Sequence, residues 1–294
     1  MQFGILGPLE ATMNGRPLAL GGARARDVLA TLLVHSNQAV SSDQLVDELW
    51  PGQPSDQATA SLQVRLSELR KLLRAAEGCA DRLTTRPPGY LLRVDAGELD
   101  ARRFEDLIAA ANGALIAEQA EAAIGHYDEA LCLWRGPSAL VGVDSPSARQ
   151  ESARLGELKL ALVESRAQAL LDRGDRGDLD RLVAELEALT AAHPLRERLW
   201  ATRMLALYRS GRQADALAAH GELRSLLDHA VRAPTLVISR LGDRITPPFH
   251  GRYLASRIAG ARYFEQPGDH SLHFAGSGDS DALFREIAGF LSAP

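Results

Sequence analysis

Cysteine, aromatic residues and long apolar runs are all scarce in this chain of 294 residues. The two cysteines, Cys79 and Cys132, stand in unrelated contexts, so neither a disulfide framework nor a cysteine-based zinc site is predicted. No run of about 18 apolar residues occurs that would span a membrane. The first ten residues also lack the charged and apolar regions of a secretory signal. We therefore expect a cytoplasmic protein.

Two catalytic motifs are missing as well. The sequence has no Gly-x-x-x-x-Gly-Lys phosphate-binding loop, so no ATP chemistry and no bound cofactor are predicted. It also has no Gly-x-Ser-x-Gly elbow, the motif that holds the nucleophile of an α/β-hydrolase. The composition, with 46% hydrophobic and 24% charged residues, is nevertheless that of a globular protein with a real core.

Charge is distributed unevenly along the chain. Residues 1–94 contain ten Lys/Arg and nine Asp/Glu, a net charge of +1, whereas the other 200 contain 23 and 29, a net charge of −6. Because nucleic acids attract clustered positive charge, a surface for a polyanion is expected in the first third.

The first third mixes short strands with helices. The stretches "FGILGPLEAT" and "RPLAL" predict strands around the turn Asn14-Gly15, because these two residues tolerate positive φ. Apolar periodicity predicts helices over 24–36, 42–49 and 58–74, with N-caps at Ser41-Ser42-Asp43 and a stop at Pro51-Gly52. A second hairpin is predicted around the turn Arg86-Pro87-Pro88-Gly89.

Residues 100–229 are rich in Ala and Leu and predict a stack of helical hairpins. The pattern is interrupted at Gly136-Pro137, Gly174 to Gly177, His193-Pro194 and Gly211. A shift of 34 residues places Gly177 on Gly211, and this is the period of tetratricopeptide repeats. In the second copy, Trp200 and Tyr208 occupy the two large positions of that motif, with Gly211 and Ala216 at its turn and small positions.

The helix predicted over 58–74 has two distinct faces. Leu62, Leu66, Leu69 and Leu73 recur at helical spacing and predict one buried stripe. The opposite stripe is polar and basic and consists of Gln63, Ser67, Arg70 and Arg74. On an isolated helix such a face is usually solvated surface. A β-hairpin that follows within about ten residues changes the interpretation, because a helix with an adjacent wing fits a major groove and the neighbouring backbone.

These features carry a family resemblance. The stretches "FGILGPLEA", "GRPLALGGARARDVLATLLVHSNQAVSSDQLVDELWPG", "SLQVRLSELRKLL" and "RPPGYLLRV" resemble the winged-helix domain of the Streptomyces antibiotic regulatory proteins, which is related to the OmpR/PhoB effector domains. The following helices resemble the bacterial transcriptional activator domain of that family. The resemblance implies a mostly α chain with a winged helix at 1–94, a tetratricopeptide-like domain at 95–229 and a short α/β segment at 230–294.

The resemblance also implies a function and a set of contacts. The family binds direct repeats in double-stranded DNA near promoters and contacts RNA polymerase, here through the loop at Trp50, Pro51 and Gly52. By position, contacts of the recognition helix fall on Arg65, Ser67, Arg70, Lys71 and Arg74, and those of the wing on Thr85 and Arg86; Arg24 and Arg26 are weaker candidates. Glu68 departs from the basic residue usual in the family, and an acid beside a phosphate is repulsive.

Residues 233–292 resemble the last quarter of an α/β-hydrolase. The stretches "TLVIS" and "ARYFEQ" predict strands, "GRYLASRI" and "DALFREIAGFL" predict helices, and Asp243 and His270 match the catalytic acid and base. Because the elbow is missing, both are expected to be vestigial and no catalytic residue is predicted. The group Asp269, His270 and His273 is too weak a signal for a metal site, and none is predicted.

The residues therefore favour a DNA-binding transcriptional regulator, an activator, over two alternatives. One alternative is a protein-interaction adaptor whose DNA binding has decayed, with Glu68 as its sign. The other is an esterase-like enzyme, which would need a nucleophile that the sequence does not show. Whether the chain forms a homodimer is left open by the sequence.

Overall fold

The protein was analysed as a computed structural model, which describes residues 1–53, 55–77, 81–230, 234–242, 248–258, 260–267 and 278–292. The chain divides into two compact units, Met1–Arg173 and Gly174–Pro294. The first unit therefore joins the predicted winged helix to the first helices of the predicted helical domain. The second unit contains the remaining helices and the α/β segment.

The first 92 residues form the mixed α/β region that the sequence predicts. The strands are β1 (Gln2–Gly4), β2 (Glu10–Met13), β3 (Arg16–Pro17), β4 (Ala39–Ser41), β5 (Leu83–Arg86) and β6 (Gly89–Leu92). The helices are α1 (Ala23–Val34), α2 (Ser42–Leu49) and α3 (Ser55–Glu77). One antiparallel sheet has the order β1-β2-β3, and the other has the order β4-β6-β5. Three helices followed by the β5-β6 hairpin make a winged helix.

The turn and cap predictions in this region are confirmed. Asn14 and Gly15 have φ of 50° and 75° and join β2 to β3 in a tight hairpin. The Ser41 side chain accepts a hydrogen bond from the Gln44 backbone N–H and caps α2. α2 ends at Leu49, one residue before Trp50 and the Pro51-Gly52 stop.

The stretch "FGILGPLEAT" is not the single strand that the sequence predicted. It is broken between β1 and β2 because its backbone groups there pair elsewhere. The N–H groups of Ile5 and Leu6 donate to the two carboxylate oxygens of Asp100 at 2.8 and 3.0 Å. The carbonyls of Ile5 and Leu6 accept from the Leu140 and Arg135 N–H groups. The segment therefore connects the winged helix to the helices that follow through these backbone hydrogen bonds.

Six helices make up the predicted helical region. They are α4 (Asp100–Ile116), α5 (Ala120–Cys132), α6 (Pro146–Arg173), α7 (Arg176–Ala192), α8 (Glu197–Arg209) and α9 (Gln213–Ala230). α4 packs on α5 and α5 on α6 in the first unit, and α7 packs on α8 and α8 on α9 in the second. Within each unit, consecutive helices thus pack on one another as hairpins, as the Ala/Leu-rich pattern predicts.

The repeat register needs a correction. The 34-residue shift pairs Gly177 with Gly211, but Gly177 lies in the first turn of α7, while Gly211 is the positive-φ residue between α8 and α9. The glycine with positive φ at the corresponding junction before α7 is Gly174. Trp200 is buried, as its large position requires, but Tyr208 is 59% exposed. Glycine recurs at both junctions because the chain must adopt a left-handed conformation there.

Two buried carboxylates fix the winged helix to α4. Glu98 binds the Arg82 guanidinium, with Nη2 to Oε1 at 2.7 Å, and also accepts from the N-terminal ammonium and the Asp95 N–H. Burial alone would raise the pKa of Glu98, but these hydrogen bonds outweigh it and lower the pKa. Burial raises the pKa of Asp100, because its backbone hydrogen bonds and Arg135 offset desolvation only in part.

The α/β segment consists of β7 (Leu236–Arg240), α10 (Pro248–Arg257), β8 (Arg262–Gln266) and α11 (Gly278–Leu291), as predicted. β7 and β8 pair in parallel, and α10 packs on both. The Arg224 guanidinium of α9 lies over the Tyr253 ring of α10 at 5.1 Å, so the segment rests on the helical region of its own unit. The predicted vestigial acid and base, Asp243 and His270, lie outside the described residues, as do Asp269 and His273.

The described residues contain neither a candidate membrane-spanning helix nor a cluster of metal-binding side chains. No helix there is both long enough and apolar enough to cross a membrane. No group of three or more His, Cys, Asp or Glu side chains in the same residues is placed to hold a metal ion. Cys132 is a free, exposed thiol at the end of α5, and Cys79 lies outside the described part of the chain.

Candidate nucleic-acid interface

The exposed face of α3 follows directly from its buried face. Leu62, Leu66, Leu69 and Leu73 are each at most 2% exposed and pack inward, as predicted. α3 packs on α1 and α2 through this side. Because residues half a turn away must then point outward, Gln63, Ser67, Lys71 and Arg74 are exposed. Three of the four residues of the predicted stripe are thus exposed, whereas the fourth, Arg70, is half-buried and Lys71 is exposed beside it.

The wing places a further cation beside this helix. β5 contacts α3, and the β5-β6 turn at Pro87-Pro88 carries exposed Arg86 on its β5 side. In the described structure no hydrogen bond or ion pair engages the Lys71 ammonium or the Arg86 guanidinium. These two charges are therefore available to an external anion.

Arg65 and Arg74 are instead paired with carboxylates. Arg65 Nη1 lies 2.7 Å from Glu68 Oε2, one helical turn away on α3. Arg74 Nη2 contacts both Asp81 oxygens, at 2.7 and 2.9 Å. Both pairs are exposed, with side-chain exposures of 55% and 54% for Arg74 and Asp81. Exposed pairs of this kind are worth about 0 to 1 kcal/mol, so a phosphate can compete for either arginine.

The Arg70 guanidinium makes its contacts with the wing of the same domain. Its Nε donates to the Leu83 carbonyl at 3.0 Å, and its Nη2 donates to Thr85 Oγ1 at 2.9 Å. The guanidinium also lies over the Tyr90 ring, 5.5 Å from the centroid. Arg70 is half-buried, whereas Thr85 is exposed and serves as its acceptor. Two of the predicted DNA contacts are thus bonded to each other.

The weaker candidates lie at the start of α1. Arg24 is 3.6 Å from Asp27 and its guanidinium lies over the Trp50 ring at 6.0 Å, while Arg26 donates to the Leu9 carbonyl. Both guanidinium groups thus have partners within the protein.

The loop predicted to face polymerase has a buried and an exposed part. Trp50 is only 6% exposed, whereas Pro51 and Gly52 are exposed. Gly52 has a φ of +78°, which an L side chain rarely adopts. Trp50 therefore anchors this loop, and Pro51 and Gly52 form its accessible surface.

Two participants in this region were not anticipated from the sequence. Asp81 neutralises Arg74, and Tyr90 supports the Arg70 guanidinium. No periodic pattern links positions 74 and 81 or positions 70 and 90, because these residues approach only when the hairpin folds back on α3. The surface has a net formal charge of +3, because it contains five cationic side chains and two carboxylates: Arg65, Arg70, Lys71, Arg74 and Arg86, with Glu68 and Asp81.

Comparisons with known proteins agree with this architecture. Residues 15–92 match the family described as Transcriptional regulatory protein, C terminal, and residues 99–245 match the Bacterial transcriptional activator domain. The first match covers β3 to β6, and the second begins one residue before α4.

Several bacterial regulatory proteins are similar in sequence to most of this chain. The regulatory protein AfsR of Streptomyces coelicolor is 42% identical over 228 residues, which are 77% of this chain and 22% of AfsR. The regulatory protein DnrI of Streptomyces peucetius is 37% identical over 234 residues, 77% of this chain and 85% of DnrI. The chain thus spans only about a fifth of the length of AfsR.

A solved structure is similar over almost the whole chain. The structure of Mycobacterium tuberculosis EmbR in complex with a low affinity phosphopeptide is 32% identical and covers 98% of this chain and 69% of that protein, with a TM-score of 0.73.

Proposed function

This chain belongs to the bacterial transcriptional activator domain family, and on that premise we propose that it is a sequence-specific DNA-binding regulator that activates transcription. The observation that carries the proposal is the outward basic face of α3 beside a wing that presents Arg86. A helix of this kind enters the major groove while a wing reaches the adjacent backbone.

Different residues of the surface have different roles in this proposal. Lys71 and Arg86 have no partner among the described residues, so both can supply charge to phosphates directly. Arg65 and Arg74 leave the carboxylates of Glu68 and Asp81 when DNA binds, and each then pairs with a phosphate. Ser67 lies between these cations on the exposed stripe, where a hydroxyl can contact a base edge or a phosphate.

The proposed partners follow from the same surfaces. Double-stranded DNA with direct repeats occupies α3 and the wing, and a second copy of the chain occupies the second repeat. RNA polymerase contacts the loop through exposed Pro51 and Gly52, which buried Trp50 holds in place.

The first experiment selects bound fragments from the source genome and measures affinity against salt concentration. Each lost phosphate contact lowers the slope of log affinity against log salt by about one. We expect that decrease for Lys71→Ala and for Arg86→Ala. Arg93→Ala is the matched control, because Arg93 is also an exposed arginine, lies at the base of the same hairpin and pairs with Asp95. Unchanged slopes in both test variants would refute DNA binding through this surface.

A second candidate function, that of a protein-interaction adaptor, is supported by the two carboxylates that pair with arginines of α3. Glu68 and Asp81 partly neutralise the recognition face, as expected for an adaptor that no longer needs DNA. If the chain is such an adaptor, the wild type should bind no genomic fragment at low salt, where phosphate attraction is least screened.

We further propose that the chain has no hydrolytic activity. Purified protein should then release no product from short-chain aryl esters. Turnover that is lost in His270→Ala would contradict this proposal.

A further inference from the structure

The wing strand β5 has an exposed edge that faces α3. In the sheet order β4-β6-β5, β5 is the outer strand. The Arg82 carbonyl accepts the Arg93 N–H on the side toward the neighbouring strand. Because successive carbonyls of a strand point in opposite directions, the Leu83 carbonyl points away from β6. That carbonyl is the acceptor for Arg70 Nε at 3.0 Å.

A single guanidinium therefore contacts both strands of the wing. Arg70 bonds Leu83 and Thr85 on β5 and stacks on Tyr90 of β6, which is the cross-strand partner of Thr85. The planar fork of arginine can make two hydrogen bonds and a ring contact at the same time. A lysine ammonium at this position has no fork and no plane to stack.

Arg70 differs in this respect from the other cations of α3. Arg65 and Arg74 bind exposed carboxylates. A phosphate can take the place of either carboxylate, because it offers the arginine a similar ion pair. A phosphate that captured Arg70 would leave a strand carbonyl and a hydroxyl without their donor. The arrangement therefore favours retention of Arg70 on the wing while DNA is bound.

We infer that Arg70 is a positioning residue that fixes the wing against the recognition helix, and that it acts on DNA through Arg86. The inference rests on the proposed DNA-binding function. It assigns Arg70 a role different from the phosphate or base contact that the family resemblance implies for this position.

The test is a double-mutant cycle in DNA affinity with Arg70→Lys and Arg86→Ala. Lysine keeps the positive charge, so a direct phosphate contact would survive Arg70→Lys and affinity would stay near that of the wild type. If Arg70 positions the wing, Arg70→Lys should weaken binding to within about twofold of Arg86→Ala, and the double variant should be no weaker than Arg86→Ala alone. Arg93→Lys is the matched control and should bind like the wild type.

Backbone hydrogen exchange supplies a readout that does not depend on DNA. Amides of residues 83–92 should exchange faster in Arg70→Lys than in the wild type, while those of α1 should not change. The α1 amides also show whether the variant is folded.

Two results would overturn the inference. One is wild-type affinity in Arg70→Lys with unchanged exchange in the wing. The other is an additive cycle, in which Arg86→Ala weakens the Arg70→Lys protein as much as it weakens the wild type. A wild type that binds no DNA at all would instead refute the proposed function, and the exchange measurement would still decide whether Arg70 holds the wing.

Discussion

Two arginine–carboxylate pairs in the same winged helix differ in their surroundings. Arg82 and Glu98 are 2.7 Å apart between Nη2 and Oε1, and their side chains are 6% and 11% exposed. Arg74 and Asp81 also approach to 2.7 Å, but their side chains are about half exposed. Bond length alone therefore does not distinguish structural charges from charges that can serve a ligand.

The difference in burial assigns the two pairs opposite roles. The buried pair cannot exchange its partner for water, so it holds the start of β5, the N-terminus and the residues before α4 in one arrangement. The exposed pair exchanges with solvent easily and contributes little to stability. Charges needed for DNA must be of the second kind, because a ligand has to reach them.

The largest expected effect comes from breaking the buried pair. Glu98→Ala leaves the Arg82 guanidinium buried without its main counter-charge, which typically costs about 3 to 5 kcal/mol of unfolding free energy. Urea unfolding measures the change. Glu129→Ala removes an exposed glutamate of α5 and should change stability by less than about 0.5 kcal/mol. A loss below about 1 kcal/mol for Glu98→Ala would show that the two pairs do not differ as argued.

A smaller effect is expected in the pH dependence of stability. Because the folded-state pKa of Glu98 is lowered, its contribution is present above the ordinary glutamate pKa of about 4.3 and is lost as pH falls through the folded value. The folded-state pKa of Asp100 is raised, so its contribution is present below the ordinary aspartate pKa of about 3.9 and is lost as pH rises through the folded value.

Unfolding free energies across pH 3 to 7, a range that brackets both ordinary values, separate these opposite signs. The stability difference between the wild type and Glu98→Gln should shrink as pH falls. The difference between the wild type and Asp100→Asn should shrink as pH rises. Parallel pH profiles for the wild type and Glu98→Gln would contradict the assignment for Glu98.

The smallest effect on stability should come from breaking the exposed pairs. Breaking them should instead change the affinity for DNA. Asp81→Asn and Glu68→Gln should each alter unfolding free energy by less than about 0.5 kcal/mol. Both should tighten DNA binding, most strongly at low salt, because an arginine is freed from a competing acid. Glu129→Gln removes the same charge from α5 and controls for net charge. Weaker binding after Glu68→Gln would indicate instead that Glu68 accepts from a base, such as the cytosine amino group.

Local features of the fold were predictable because they depend on neighbouring residues. The leucine stripe of α3, the Asn14-Gly15 turn and the Ser41 cap each involve positions within a few residues of one another, and all are confirmed. The predicted repeat register was wrong at one glycine. Gly174 and Gly177 are three positions apart and both suit a helix junction, but of the two only Gly174 has a positive φ.

Partners distant in the chain could not be predicted in this way. The sequence placed Arg70 and Arg74 on one helix face, and the family resemblance implied DNA contacts for both of them and for Arg65. The folded chain distinguishes them, because the wing supplies acceptors for Arg70 while acids stand beside the other two. The acid Asp100, 95 residues from Ile5, is the clearest example of a contact that has no local signal.

The sequence by itself determined where the helices, turns and basic face lie, because periodicity and turn chemistry act over a few residues. Only the tertiary structure decided which arginines are free, which are paired and which carboxylates are buried. The physical reason is that the strength and availability of a charge depend on its burial and on its partners, and packing brings those partners together from distant parts of the chain.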